Sequence, residues 1–302
     1  MEFIIAQLSF IKSKQTKLET IITSEKPIEL LENRLKDNKK YIPHKWKTGK
    51  IGLFFGDFLF DDKKQLLCIK LGRVKKTQVP KYSDEGKFLD YVEDTFPHVF
   101  LIWDRKEQAI LIERKTSIFF DYEIVIRSLE DHFNNLISDL DVSVFLEPKS
   151  DTADFWKIIE ENEYIYEVGF TLHMPNLFGN LQKPLKDNLE NLQKKYNLTD
   201  VTTQITNPEG NLKLSKDDQD INENLAWIAK GGGSWVARVT KLINQRRDKK
   251  IKISSVSDKF LRIYSTTIEM ENYTISEVKA ILKELKPVYS IMESSNDDTK
   301  KQ

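Results

Sequence analysis

"FPHVFLIWDRKEQAILIERKTSIFFDYEIVIRSL" (residues 96–129) decides the fold class of this chain. Its first two apolar runs, "FPHVFLIWD" and "QAILIERKT", have strand length and flank the polar turn Arg105-Lys106-Glu107, which is the signature of a hairpin. The period then changes. Between Asp121 and Ile137, the residues Ile124, Leu129, His132, Phe133 and Leu136 fall near one face of a helix. A hairpin closed by an amphipathic helix points to an α+β fold, not to a parallel sheet built by strict strand–helix alternation.

Working outward, the same mixture continues. Residues 2–11 read as a strand, 27–38 as a helix with Pro27 in its first turn, and 50–74 as two strands joined by Asp61-Asp62-Lys63-Lys64. "DEGKFLDYVED" (84–94) is expected to be a short helix. Beyond Asp139 a strand "DVSVFLEP", a helix capped by Ser150 or Asp151, a strand "EYIYEVGFTLHMP" and a charged helix 183–197 follow. Strands are expected at 200–206 and 211–215 around Asn207-Pro208-Glu209-Gly210, then a helix at 217–230 ending at Gly231. Strands near 234–243 and 250–268 precede a last helix that opens with the capping pattern Thr274-x-x-Glu277. The expected organisation is a strand-rich domain over 1–139, an α+β domain over 140–292 and a disordered polar tail over 293–302.

The composition, with 39% hydrophobic and 31% charged residues in 302, is that of a globular chain with a charged surface. No apolar run reaches the roughly 18–20 residues of a membrane span. The start "MEFIIAQLSFIKSK" lacks the basic region of a signal peptide, so a cytoplasmic protein without direct membrane insertion is expected. The single cysteine, Cys68, lies in an apolar strand and reads as a core residue.

Lysines and arginines, 47 in all, balance 47 acidic side chains, yet they are partly segregated. "KDNKKYIPHKWKTGK" (36–50) sets six lysines and two aromatics against one aspartate, and "NQRRDKKIK" (244–252) is a second basic block. Between Trp227 and the second block stand Gly231, Gly232 and Gly233, which serve either as a helix stop or as bare backbone N–H groups for a phosphate. The candidate nucleic-acid-binding set is therefore Lys39, Lys40, Lys45, Trp46, Lys47, the three glycines, Arg238, Arg246, Arg247, Lys249 and Lys250.

Catalytic signals are sparse. Glu113 and Lys115 stand two apart after Asp104, as in metal-dependent nucleases whose carboxylates hold Mg²⁺ while the lysine polarises water. Asp104, however, sits at the hairpin turn and Glu113 at the far end of the returning strand, roughly 25 Å away at 3.3 Å per residue. Asp90 or Glu93 would have to substitute for it. His44, His98, His132 and His173 have no metal-ligand spacing, and the chain has no P-loop, nucleophile elbow or kinase signature. No cofactor is expected, apart from Mg²⁺ under the nuclease alternative.

The order of elements in residues 96–195 resembles the RexA-type phage-exclusion proteins and, more distantly, the KwaB-type proteins of the Kiwa antiphage system. The stretches concerned are residues 96–129, "VSVFLEPKSDTADFWK" and "VGFTLHMPNLFGN". This resemblance implies a two-domain, homo-oligomeric, non-enzymatic protein that binds duplex DNA without strong sequence preference and signals to a partner effector. The expected function is thus a nucleic-acid-binding sensor or accessory subunit of a prokaryotic antiviral system. The alternatives are a defence nuclease using Glu113 and Lys115, or a protein-interaction subunit.

Overall fold

The computed structural model of the chain describes residues 1–12, 25–42, 50–82, 84–174, 183–240, 242–243, 246–247 and 249–289. The expected tail at 293–302 lies outside these residues. The larger sheet is built on β1 (Glu2–Lys12), which is buried along almost its whole length. Successive side chains of a strand point to opposite faces, so a strand apolar at nearly every position must be covered on both sides. Ile4, Ala6, Leu8 and Phe10 enter one core and Phe3 and Ile5 another.

The chain continues through α1 (Glu25–Asp37), β2 (Lys40–Tyr41), β3 (Leu53–Phe60), β4 (Leu66–Gly72), β5 (Lys75–Tyr82), β6 (Phe88–Thr95), β7 (His98–Asp104), β8 (Ala109–Glu113) and α2 (Tyr122–Leu136). It then forms β9 (Val142–Pro148), α3 (Thr152–Glu161), β10 (Tyr164–His173), α4 (Lys183–Tyr196), β11 (Asp200–Thr206), α5 (Gln219–Ala229) and β12 (Gly233–Thr240). Last come β13 (Leu242–Ile243), β14 (Arg246–Arg247), β15 (Ile251–Ser254), a 3-10 turn at Asp258–Phe260, β16 (Ile263–Ser265) and α6 (Ile275–Tyr289). The fold is α+β, as residues 96–137 predict.

The larger sheet is antiparallel, in the order β16-β1-β8-β7-β4-β3-β2, with β9 also paired to β1. One face packs on α1 and α2 through Leu31, Leu35, Val125, Leu129 and Phe133. The other packs on α6 through Val278, Ile281, Leu282 and Leu285. β9, β16 and α6, all C-terminal to residue 140, thus complete the sheet that the first half begins. A second antiparallel sheet, β11-β10-β12-β15, is backed by α3, α4 and α5 around Phe155, Phe170, Leu189, Leu225 and Trp235.

Local signals hold where they are strong. Asp121, Asp151 and Asp218 cap α2, α3 and α5 by accepting backbone N–H bonds. Glu277 accepts the Thr274 N–H at 2.8 Å, closing the predicted capping box. Backbone hydrogen bonds to that carboxylate hold its pKa down to about 2.

Three expectations are corrected. The predicted helix at 84–94 is instead a turn followed by β6, and β5–β6 is a hairpin with Gly86 at φ +78 in its loop. The spacing of Phe88, Leu89, Tyr91 and Val92 suits a helix equally well, and pairing with β5 overrides it. The predicted strand at 211–215 makes only a single parallel bridge, Ile165 to Asn211, because β10 already has β11 and β12 on its two edges. The predicted strand at 250–268 divides into β15 and β16, which lie in different sheets.

Candidate nucleic-acid interface

The three glycines are tightly enclosed. Gly231 ends α5 at φ +82, the left-handed conformation of a helix stop. Its N–H donates to Ile228 O at 2.8 Å and that of Gly232 to Trp227 O at 3.1 Å. A Cβ at Gly232 would stand 2.2 Å from the Trp227 indole nitrogen, and one at Gly233 2.0 Å from Thr171 O. The glycine run therefore carries out the helix-stop role, with its first two N–H groups turned inward. Trp235 beyond it is buried against Phe155 and Phe260, as a strand anchor should be.

The second basic block lies at one edge of the smaller sheet. Lys249 and Lys250 lead into β15, which exposes Ile251 and Lys252. The Lys250 Nζ sits 3.8 Å from the centroid of the Tyr166 ring, a cation–π position that holds the lysine stem against the sheet. The pairing registers place Thr206, Glu167, Arg238 and Lys252 in one row across all four strands. The neighbouring rows on that face carry Gln204, Thr202, Thr171, Ser234 and Ser254, while Val168, Phe170, Trp235 and Ala237 point to the core. This alternation produces a face of mostly hydroxyl side chains with one amide, Gln204, interrupted by Gly169 and Val236 and edged on the β15 side by Lys252. Arg238 is partly neutralised, its Nη2 lying 3.2 Å from Glu167 Oε2. Lys252, already part of the second basic block, lies on the same row beyond Arg238. Arg246 and Arg247 form β14 against Leu242 and Ile243.

The first basic block lies on the larger sheet. Lys39 and Lys40 are exposed at the start of β2, and Lys40 Nζ is 5.4 Å from the Phe54 ring centroid. Lys45, Trp46 and Lys47, with His44, lie outside the described residues. The two blocks therefore belong to different sheets.

The nuclease alternative meets an ion pair. Glu113 is buried and accepts the Phe100 N–H at 3.0 Å, and Lys115 Nζ lies 2.7 Å from its other oxygen. Asp104 pairs with Ala109 across the hairpin and spends its carboxylate on the turn, accepting the N–H groups of Lys106 and Glu107. Asp90 and Glu93 lie on β6. Among the described residues no group of three His, Cys, Asp or Glu side chains could hold a metal ion. Burial pushes the Cys68 thiol up to about 12, as expected of a core residue. His98 is exposed, His132 is buried between Tyr41 and Phe55, and His173 is buried against Phe145.

A cavity of about 200 Å³ lies where the two sheets meet, lined by Glu123, Arg127 and Glu130 of α2, Glu147 of β9, and Ser234 and Val256. Burial, reinforced by the Glu147 carboxylate, raises Glu130 to about 7 against the opposing hydrogen bond from the Leu146 N–H. No helix among the described residues is long and apolar enough to cross a membrane. Compared with known proteins, the chain matches no family model and no curated protein.

Proposed function

We propose that this chain is a non-enzymatic nucleic-acid-binding subunit of a prokaryotic antiviral system, acting in the cytoplasm with a partner effector and a second copy of itself. One observation supports the nucleic-acid part most directly. Lys249, Lys250 and Lys252 cluster at the exposed β15 edge, with Lys250 over Tyr166, beside a hydroxyl-rich sheet face. Ammonium groups on such an edge meet phosphates, and hydroxyls and amides accept or donate to sugar and phosphate oxygens without reading bases. Duplex DNA bound in this way is held without sequence preference.

The test is a binding titration against duplex DNA over a series of salt concentrations. Counterion release predicts a log–log slope of about −0.9 per neutralised phosphate, so three lysines give about −3 or steeper. Lys249→Ala with Lys250→Ala should flatten that slope by about two. Lys39→Ala with Lys40→Ala reports separately on the first block. The absence of binding to any duplex at low salt would overturn the reading. The protein-interaction alternative is favoured by a different feature, the projecting β5–β6 hairpin.

A further inference from the structure

β11 is an edge strand of the smaller sheet, and its register with β10 runs unbroken from Thr206 opposite Glu167 to Asp200 opposite His173. Two bonds at the ends of this ladder show which way its backbone groups face. Met174 N–H donates to Thr199 O at 3.0 Å and Asn207 N–H to Tyr166 O at 2.8 Å. Bonded and non-bonded pairs alternate along an antiparallel ladder, so the odd-numbered residues of β11 bond β10. The N–H and C=O groups of Asp200, Thr202, Gln204 and Thr206 point outward, and among the described residues they have no hydrogen-bond partner. Thr202, Thr203 and Gln204 at the centre of the strand are exposed.

A row of free N–H and C=O groups is a template for another strand, and edges that must stay single carry lysine, proline, repelling charges or a bulge. β15 carries Lys252, β5 carries Pro80, and β6 carries Asp90, Glu93 and Asp94. β11, "DVTTQIT", has no lysine, proline, glycine or bulge, and its one charge, Asp200, stands at its end. The occupant that this edge fits is another β11. A two-fold axis through Thr203 sets Thr202 opposite Gln204 of a second copy and Asp200 opposite Thr206, so every outward residue enters a bonded pair, with roughly eight backbone hydrogen bonds in all. On the core side Val201 meets Ile205 and Thr203 meets its own counterpart, cross-strand pairs that β-branched side chains favour. No like charges are opposed.

We propose that β11 pairs antiparallel with β11 of a second copy of the chain, joining two four-stranded sheets into one of eight strands. The pairing rests on the self-association named under Proposed function and gives it an interface. Thr202 and Gln204 lie on the hydroxyl-bearing face, so the joined sheet carries that face from one copy into the other. The strand contact, roughly 24 by 10 Å, is below the ~800 Å² per partner of standard stable interfaces, so the dimer is reversible and depends on concentration.

Sedimentation equilibrium of the full chain up to about 0.5 mM tests this, and a monomer–dimer equilibrium is expected. Gln204→Pro removes an outward N–H on each side of the axis and leaves the bonds to β10 in place, so it should raise the dissociation constant about tenfold or more. Disulfide trapping reads the register. A non-bonded pair at the axis stands about 4.5 Å apart between Cα atoms, within disulfide reach, so Thr203→Cys should form a covalent dimer when diamide oxidises the two thiols. Thr206→Cys should not, because its counterpart lies six residues further along the ladder, about 20 Å away. The native Cys68 is buried and does not compete. A chain that stays monomeric throughout, a dimer untouched by Gln204→Pro, or equal trapping at both positions would each overturn the proposal. If Gln204→Pro impairs folding, the trapping pair decides. A monomer that still binds duplex DNA would sink this inference alone, whereas a β11-paired dimer that ignores every duplex would sink the nucleic-acid reading and leave the pairing standing.

Discussion

Glu147 Oε1 lies 2.8 Å from His173 Nε2, and this contact joins β9 of the larger sheet to β10 of the smaller one. Both side chains are nearly buried, and the His173 ring stacks on Phe145 at 4.0 Å between centroids. Removing one partner leaves a buried polar group without its main interaction, which costs more than the pair contributes. Glu147→Ala should lower unfolding stability by about 1–3 kcal/mol. Urea denaturation checks this, and a variant within experimental error of wild type would mean the sheets are joined by apolar packing alone.

The Glu130 carboxyl, beside that pair, is raised from 4.5 to about 7 chiefly by burial. Between these values the folded chain holds a proton that the unfolded chain has lost, so this group makes stability fall as pH rises from about 4.5 to 7. The effect is on the order of 3 kcal/mol. Glu130→Gln keeps an acceptor for the Leu146 N–H and removes the titration. It should stabilise the chain at pH 8 relative to wild type more than at pH 5, as read from melts at the two pH values.

Burial lowers His132 from 6.5 to about 4, with the opposite sign. In this window the unfolded chain binds the extra proton, so stability is lost as pH falls from about 6.5 to 4. Between about 4.5 and 6.5 the two groups oppose each other, and single variants are needed to separate them. His132→Phe should remove the acid-side loss. An unchanged acid limb in that variant would assign the loss to other groups.

Gly233 sits at φ +148 with Thr171 O where a Cβ would be. Gly233→Ala must displace main chain of β10 and should destabilise by about 1–3 kcal/mol or more. Circular-dichroism melts report it. A variant as stable as wild type would mean that the turn is loose enough to open toward a ligand.

Glu113→Ala separates the nuclease alternative from a structural role. With Glu113 gone, the Phe100 N–H and Lys115 lose their acceptor, and a stability loss of about 1–3 kcal/mol is expected. Wild-type chain with Mg²⁺ and plasmid should give no cleavage. Cleavage that Glu113→Ala abolishes would restore the catalytic reading.

Much of the fold is written locally. The apolar run of β1 requires cover on both faces, the pattern of α2 places Leu129, His132 and Phe133 inward, and the Thr274–Glu277 pair starts α6. The core role of Cys68 follows from strand position alone, whereas the expected 25 Å between Asp104 and Glu113 is too long: Asp104 pairs with Ala109, and the four steps of β8 from there to Glu113 span about 13 Å. The candidate site was less legible. A basic block in sequence does not reveal that Lys252 shares a row with Arg238, that Glu167 partly neutralises that row, or that Tyr166 lies under Lys250. Each of these depends on which strand lies next to which.

By itself, then, the sequence determined the class of the fold, the helix ends and the inward faces, because periodicity and capping act over a few residues. Only the tertiary structure decided that 84–94 is part of a hairpin, that β9 and β16 join the first sheet, that β15 joins the second, and that the two basic blocks lie on different sheets. Strand partnership is a long-range choice. It is made by hydrogen-bond register and by covering apolar faces, and residues far apart along the chain settle it together.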